Sequence, residues 1–207
     1  RQGLYGQIQV LPEDDELSLR AQDADDGIED KETPIITVDF EPRRMKILLL
    51  GEYSNVHNTL ARGLRELGHT VTVVSNGDFW KNYPRDINVS RRPGKIGGML
   101  LMAKIYALLP RLRGYDVVQF INPLFFELKA EHLFPLFRYL KKHNRKAVLC
   151  GFGMDYYWAH TCSTTMPLRY SDFNIGGELR RNKESIAERE DWTGTDKEQL
   201  NRLMAEQ

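Results

Sequence analysis

Apolar and polar positions alternate in blocks after residue 44, and the first blocks predict a βαβ unit. The apolar run 47–50 ends at Gly51, which is the pattern of a parallel strand buried on both faces. A helix follows, for which Asn55 is the expected cap, and Gly68 ends it. The apolar residues of this helix share one face: Leu60, Ala61, Leu64 and Leu67. Residues 69–75 then predict a second strand, and this order is typical of the first unit of a doubly wound α/β domain.

The remaining pattern extends the same architecture along the chain. The further predicted elements are a short strand over 87–89, a helix over 96–112, a strand over 114–121, a helix over 127–144, a strand over 146–150, a long loop over 156–177 and two final helices. The last helix begins with a capping-box pattern at 195–198 and has no stop signal, so we expect the native protein to continue. The expected fold class is α/β, with a doubly wound, mainly parallel, Rossmann-like sheet whose first strand is central.

Residues 1–44 differ in composition from the rest of the chain. They hold 12 acidic and 5 basic residues, a net charge of −7, whereas residues 45–207 carry +7. Because this segment has few large apolar residues, we expect a disordered acidic leader followed by one domain over 45–207. The chain begins at Arg1 and its first methionine is Met45. The leader is therefore either a genuine acidic arm or, as we favour, a fragment or fusion joined to a start at Met45.

Overall composition narrows the class of protein. The chain has 207 residues, of which 41% are hydrophobic and 28% are charged, as in an ordinary globular protein. Its two cysteines, Cys150 and Cys162, favour a reducing compartment over a disulfide framework. The start of the chain lacks the apolar segment of a secretory signal, and the longest apolar run is shorter than the ~20 residues that span a bilayer. We therefore expect a cytoplasmic location.

The basic character of residues 45–207 indicates an anionic partner. Lys104, Arg111 and Arg113 flank the apolar helix, which can then rest peripherally on the anionic inner face of a membrane. A second basic run, residues 141–146, is equally explained by the dipole of the helix that it ends. Because no recognition motif accompanies these charges, nucleic acid is not expected as a partner.

Polar residues after the first strand form the first part of a candidate site. The carboxyl ends of parallel strands share one edge of a sheet, where ligands bind in open α/β folds. The substrate-binding candidates at this turn are Glu52, Tyr53, Ser54, His57 and Asn58. Donors at a helix start suit an anionic or hydroxyl-rich ligand, and the Glu52 carboxylate suits sugar hydroxyls better than phosphate. The alternative is that this polarity only caps the helix and faces solvent.

The later strands add residues to the same edge. Asn122, Gly151 and Gly153 are further substrate-binding candidates, since each follows a predicted strand. Asp155 is the catalytic candidate, because a carboxylate in a glycine-flanked turn can orient or partly deprotonate an acceptor hydroxyl. Alternatively, Asp155 caps the local turn. We expect these residues to converge with Glu52 and His57 on one cleft, and we predict no metal site.

Three segments together resemble a known family. Residues 45–75, 116–123 and 146–155, with the string Gly151-Phe-Gly-Met-Asp-Tyr-Tyr-Trp158, resemble the N-terminal domain of a GT-B glycosyltransferase of the family 4-like kind. The resemblance implies that this half binds the acceptor and that a C-terminal half, not present in this sequence, holds the nucleotide-sugar donor. It also implies that this chain alone transfers no sugar. Gly51 is followed by Glu52 rather than by a second glycine, and the turn is not G-x-G-x-x-G, so no dinucleotide cofactor is expected.

Two hypotheses of function follow. The first is the acceptor-binding half of a glycosyltransferase that moves a sugar from a nucleotide-sugar to a cell-surface glycan or lipid-linked acceptor. The second is a non-enzymatic Rossmann-like module with a binding or regulatory role. A donor-binding domain encoded after Gln207 would favour the first hypothesis.

Overall fold

A computed structural model describes residues 43–152 and 154–206, which form an α/β fold with a five-stranded parallel sheet. The strands of this sheet are β1 (Lys46–Leu50), β2 (Thr70–Ser75), β3 (Ile87–Asn88), β4 (Val117–Phe120) and β5 (Lys146–Leu149). The helices are α1 (Val56–Glu66), α2 (Gly94–Leu108), α3 (Ala130–His143), α4 (Tyr156–Thr164), α5 (Lys183–Trp192) and α6 (Thr195–Ala205). A small antiparallel pair, β6 (Asn174–Ile175) and β7 (Glu178–Leu179), lies between α4 and α5.

The sheet order is β3-β2-β1-β4-β5, so the prediction of a central first strand is confirmed. Leu50 at the end of β1 is paired with Val74 on one side and Phe120 on the other. After β1 the chain forms β2 and β3 on one side of β1, and it later forms β4 and β5 on the other side of β1. That reversal of direction makes the carboxyl end of β1 the switch point where ligands bind in such sheets.

Two apolar layers cover the two faces of the sheet. On one face, Leu49 and Val73 pack with Ala61 of α1. On the other face, Leu48 and Phe120 pack with buried residues of α2, α3 and α6: Leu101, Ile105, Leu133, Leu136, Leu200 and Met204. Both faces are therefore shielded from water, which explains why β1 reads as an unbroken apolar run.

The segment after β5 differs most from the prediction of a long loop. Residues 156–164 form α4, with the Asp155 side chain accepting a hydrogen bond from the Trp158 amide at 2.7 Å. Buried Ala159 and Cys162 pack against Phe173 in a cluster separate from the sheet layers. The prediction of a loop was wrong because a cap and tertiary packing, rather than helix propensity, stabilise this helix.

Three local predictions need correction. The Asn55 side chain does not cap α1; its Oδ1 atom accepts a hydrogen bond from the Asn58 amide group instead. Leu67 lies beyond the last turn of α1 and is exposed. Gly194, not Thr195, precedes α6, so no capping box forms there. The expectation for the leader concerns mainly residues 1–42, which lie outside the described residues, as does Gly153.

Candidate functional site

A cavity of about 200 Å³ opens at the carboxyl edge of the sheet, beside the turn from β1 to α1. Its polar lining comes from Glu52, Tyr53, Asn76 and Glu127. Its apolar lining includes residues from loops and from the end of α5: Phe79, Leu124, Phe125, Phe126 and Trp192. The cavity therefore lies at the switch point of the sheet, where the topology predicts a ligand site.

Gly51 gives this turn its shape. Its φ angle of 85° lies in the left-handed region, and a Cβ atom there would overlap the Ile121 side chain. Only glycine meets both conditions without strain. The close approach of β1 to the segment after β4 brings Glu52 to the cavity wall.

The Glu52 carboxylate occupies the N-terminus of α1. Its two oxygens accept hydrogen bonds from the amides of His57, at 3.1 Å, and Asn58, at 2.8 Å. Glu52 is only 3% exposed, and burial raises the pKa of its carboxyl group, while the two amide donors act in the opposite direction. The chain thus places its own carboxyl group at the helix start, the position that receives phosphates in nucleotide-binding α/β folds.

His57 is fully buried, and its ring serves the turn. Nδ1 lies 2.7 Å from the Gly51 carbonyl oxygen, which can only accept, so Nδ1 carries the proton. The other ring nitrogen lies 3.2 Å from Nε2 of Gln119, whose amide donates to it. Burial lowers the pKa of His57 to about 4. The imidazole is therefore neutral near pH 7 and positions the backbone instead of presenting a charge to a ligand.

Tyr53 presents a partly buried phenol to the cavity, with Asn122 beside it. Burial raises the pKa of the Tyr53 hydroxyl, whereas the nearby Asn122 side chain lowers it. Asn122 itself is buried, and its Nδ2 atom donates to the Met154 carbonyl oxygen at 3.3 Å. Its Oδ1 atom makes no hydrogen bond of ordinary geometry with any described residue. Asn122 thus ties the end of β4 to the segment that leaves β5.

Asp155 accepts a hydrogen bond from the Trp158 amide and so caps α4. Of the two roles considered for Asp155, a catalytic group or a cap, its contacts are those of a cap. Gly151 is exposed, with open space around it. Ser54 is also exposed, and its amide donates to Asp78 at 2.9 Å. These three residues do not line the cavity.

The candidate residues therefore divide into groups. Glu52 and Tyr53 line the cavity, while His57 and Asn58 stand behind Glu52 and hold it in place. Asn122 and Asp155 belong to the junction between the ends of β4 and β5 and α4. The predicted convergence thus brings Glu52 and Tyr53, not the whole set, to the cavity wall.

Several lining residues were not expected from the sequence. Phe79, the segment 124–128 and Trp192 lie outside the predicted strand ends, and no periodic pattern marks them. The one sequence signal for any of them is the polar segment 76–92 after β2, which carries the aromatic residues Phe79, Trp80 and Tyr83. Glu127, in the segment before α3, accepts a hydrogen bond from the Arg91 amide at 2.9 Å.

The electrostatics around the cavity are acidic. Glu52 and Glu127 line the cavity. Burial is the main cause of the raised pKa values of Glu52 and Tyr53, and the nearby charge of Asp78 raises both pKa values further. Asp78 is held by Lys81, whose Nζ atom lies 2.6 Å from its carboxylate. This surrounding disfavours a second anion and suits a neutral or hydroxyl-rich ligand.

Comparison with protein-family models, with curated proteins and with solved structures finds no match to this chain. Within residues 43–152 and 154–206, no group of three His, Cys, Asp or Glu side chains could hold a metal ion. In the same part of the chain, no helix is long and apolar enough to cross a membrane.

Proposed function

We propose that this chain is the acceptor-binding half of a glycosyltransferase and that its cavity holds a sugar of the acceptor. The family resemblance of residues 45–75, 116–123 and 146–155 suggested this activity, and the chemistry of the cavity agrees with it. In this proposal a further domain binds the nucleotide-sugar donor. The acceptor is a cell-surface glycan or a lipid-linked glycan.

The observation that carries the proposal is the position of the Glu52 carboxylate. In nucleotide-binding α/β folds, the N-terminus of the first helix receives the phosphates of the ligand. Here Glu52 accepts hydrogen bonds from both free amides of that turn, those of His57 and Asn58. A phosphate at this place would meet a carboxylate and find the donors occupied. The edge of the sheet is therefore better suited to the acceptor than to the donor.

The lining of the cavity supports a sugar as the ligand. The exposed Phe79 ring offers a face for the C–H surface of a pyranose ring, while Glu52, Tyr53 and Glu127 offer groups for its hydroxyls. The volume of about 200 Å³ lies below the about 300–1,000 Å³ of pockets for drug-sized ligands. This size favours one sugar ring over a whole nucleotide-sugar.

Saccharide titration by calorimetry tests the proposal. We expect neutral mono- or disaccharides to bind, and nucleoside diphosphates not to compete with them. Phe79→Ala and Glu127→Gln should each weaken saccharide binding about tenfold, or ~1.4 kcal/mol. Tyr170→Ala and Glu178→Gln are matched controls, because both residues are exposed and do not line the cavity. Binding of nucleotides but not of saccharides would overturn the proposal.

One observation favours the second hypothesis, a non-enzymatic binding module. The catalytic candidate Asp155 already uses its carboxylate to cap α4. A module that only binds a sugar needs no base at this position. Sugar transfer by a protein that carries both halves, abolished by Asp155→Asn, would exclude this hypothesis; saccharide binding with no transfer would favour it.

A further inference from the structure

We propose that the exposed face of α2 is a docking surface for an anionic lipid membrane. This surface, called here the α2 face, consists of Ile96, Met99, Leu100, Ala103, Tyr106 and Ala107. It goes beyond the sugar site, because none of its residues lines the cavity and its partner is a lipid bilayer.

The α2 face is apolar although it points to solvent. Ile96 is 74% exposed, Met99 70% and Leu100 54%. The opposite side of the helix, with Gly97, Leu101 and Ile105, is buried against the sheet. A helix that is apolar all round is normally buried all round. Half of α2 is covered by the fold, and the other half is a contiguous exposed apolar patch of the kind that marks an interaction site.

The geometry of the helix gathers these residues on one side. Residues of an α-helix advance by about 100° each, so positions 96, 99, 100, 103, 106 and 107 share a single face. On the same projection, Lys95 borders one flank of this face and Lys104 borders the other. An apolar face with a basic residue on each flank is the arrangement of a helix that lies in the plane of a membrane interface.

The charges around α2 identify the kind of partner. Residues 87–115 contain no Asp or Glu, and all six of their basic residues are exposed: Arg91, Arg92, Lys95, Lys104, Arg111 and Arg113. Anionic headgroups attract such clusters, while the apolar side chains enter the boundary between headgroups and acyl chains. An acidic segment without apolar side chains would match the charges but not the apolar face. Two copies of this chain could match the apolar face but would oppose their charges.

Co-sedimentation of the full chain with lipid vesicles tests the proposal. We expect binding to vesicles of phosphatidylcholine mixed with phosphatidylglycerol, little binding to phosphatidylcholine alone, and weaker binding at high salt. Met99→Ser with Leu100→Ser should reduce binding by at least about tenfold. Lys95→Gln with Lys104→Gln should also reduce it by about tenfold or more, since each charge near the surface contributes a factor of about five. No sugar is present, so the result is independent of the proposed function.

Matched controls keep the test specific. Leu67→Ser with Ile175→Ser removes exposed apolar residues elsewhere, and Lys142→Gln with Lys183→Gln removes exposed charges elsewhere. Both controls should bind like the original chain, and circular dichroism melts establish that every variant is folded. Absence of binding to anionic vesicles, or equal loss in controls and α2 variants, would overturn the proposal. So would size-exclusion profiles in which the α2 face holds two copies together without any vesicle binding.

Discussion

Two buried polar side chains, Glu52 and His57, complete the turn between β1 and α1. Glu52 accepts from the amides of the helix start, and His57 donates to the Gly51 carbonyl oxygen. Each satisfies backbone groups that would otherwise be buried without a partner, which costs about 1–3 kcal/mol per group. Their burial therefore shows that both residues shape the site as well as belonging to it.

His57 should make the protein less stable in mild acid. Its pKa falls from 6.5 to about 4 on folding, because burial disfavours the imidazolium. Between these pH values the unfolded chain binds a proton that the folded chain does not, so stability decreases as the pH falls. The full effect of this group is roughly 3 kcal/mol. It is absent above pH 6.5 and complete below about pH 4.

His57→Asn isolates this effect, because the asparagine amide can still donate to the Gly51 carbonyl oxygen. We compare the free energy of unfolding of the original chain with that of the variant. The difference in favour of the original chain should shrink by roughly 3 kcal/mol from pH 6.5 to pH 4. Urea denaturation across this range measures it. Glu52, whose raised pKa makes ionisation costly as the pH rises, acts in the opposite direction but is present in both proteins. A difference that does not change with pH would contradict the prediction.

Glu52→Gln tests the role of the carboxylate as a helix cap. Glutamine keeps one accepting oxygen, but its amide group would face the second amide donor of α1. We expect the free energy of unfolding at neutral pH to fall by about 1–2 kcal/mol. Glu178→Gln, on the exposed strand β7, should change it by less than about 0.5 kcal/mol. Equal stability of the two variants in thermal melts would show that Glu52 does not stabilise the turn.

At the scale of elements, the five strands of the parallel sheet and the first helix followed from the sequence, but α4 and the small β6–β7 pair did not. β1 and α1 both carry strong sequence signals. A buried parallel strand is uniformly apolar, and α1 has apolar residues at helical spacing because one of its faces packs on the sheet. Residues 156–164 are rich in aromatic and β-branched side chains with modest helix propensity. Their helix depends on Asp155 and on contacts with Phe173, and such contacts cannot be read from a local window.

Asp155 can be tested as a cap and as a catalytic group with two substitutions. Asparagine caps helices as well as aspartate does, whereas alanine costs about 1 kcal/mol. Asp155→Ala should therefore lower the melting temperature and Asp155→Asn should not. In a protein that carries both halves, Asp155→Asn should lower turnover much more than it weakens donor binding. Unchanged turnover in that variant would restrict Asp155 to its structural role.

Gly97 permits the close packing at the start of α2. A Cβ atom there would overlap the Arg92 carbonyl oxygen, which is part of the backbone and cannot move aside easily. Gly97→Ala should destabilise the fold by about 1–3 kcal/mol. Gly63 in α1 is the matched control, because a Cβ atom there meets open space, so Gly63→Ala should stabilise by about 0.5–1 kcal/mol. Stabilisation by both substitutions would contradict this account of the α2 packing.

At the scale of the whole molecule, the sheet order followed from the succession of strands and helices, whereas the cavity could be foreseen only in part. Glu52 and Tyr53 were expected at the edge of the sheet, because they directly follow β1. Phe79 and Trp192 reach the same cavity from a short 3₁₀ turn and from the end of α5. Their meeting depends on tertiary packing of segments more than 100 residues apart, which no local sequence pattern encodes.

Met45 is the expected first residue of the domain. Within the described residues, three apolar clusters take their members from residues 45–204, and the sequence of residues 1–44 offers few large apolar side chains. A chain that starts at Met45 should therefore keep the melting temperature of the full chain within a few degrees. Removing residues 195–207 instead should destabilise the fold strongly, because Leu200 and Met204 are buried in the largest cluster. Differential scanning calorimetry of the three proteins measures both effects. A drop of several degrees on removing residues 1–44 would show that the leader is an integral part of the domain.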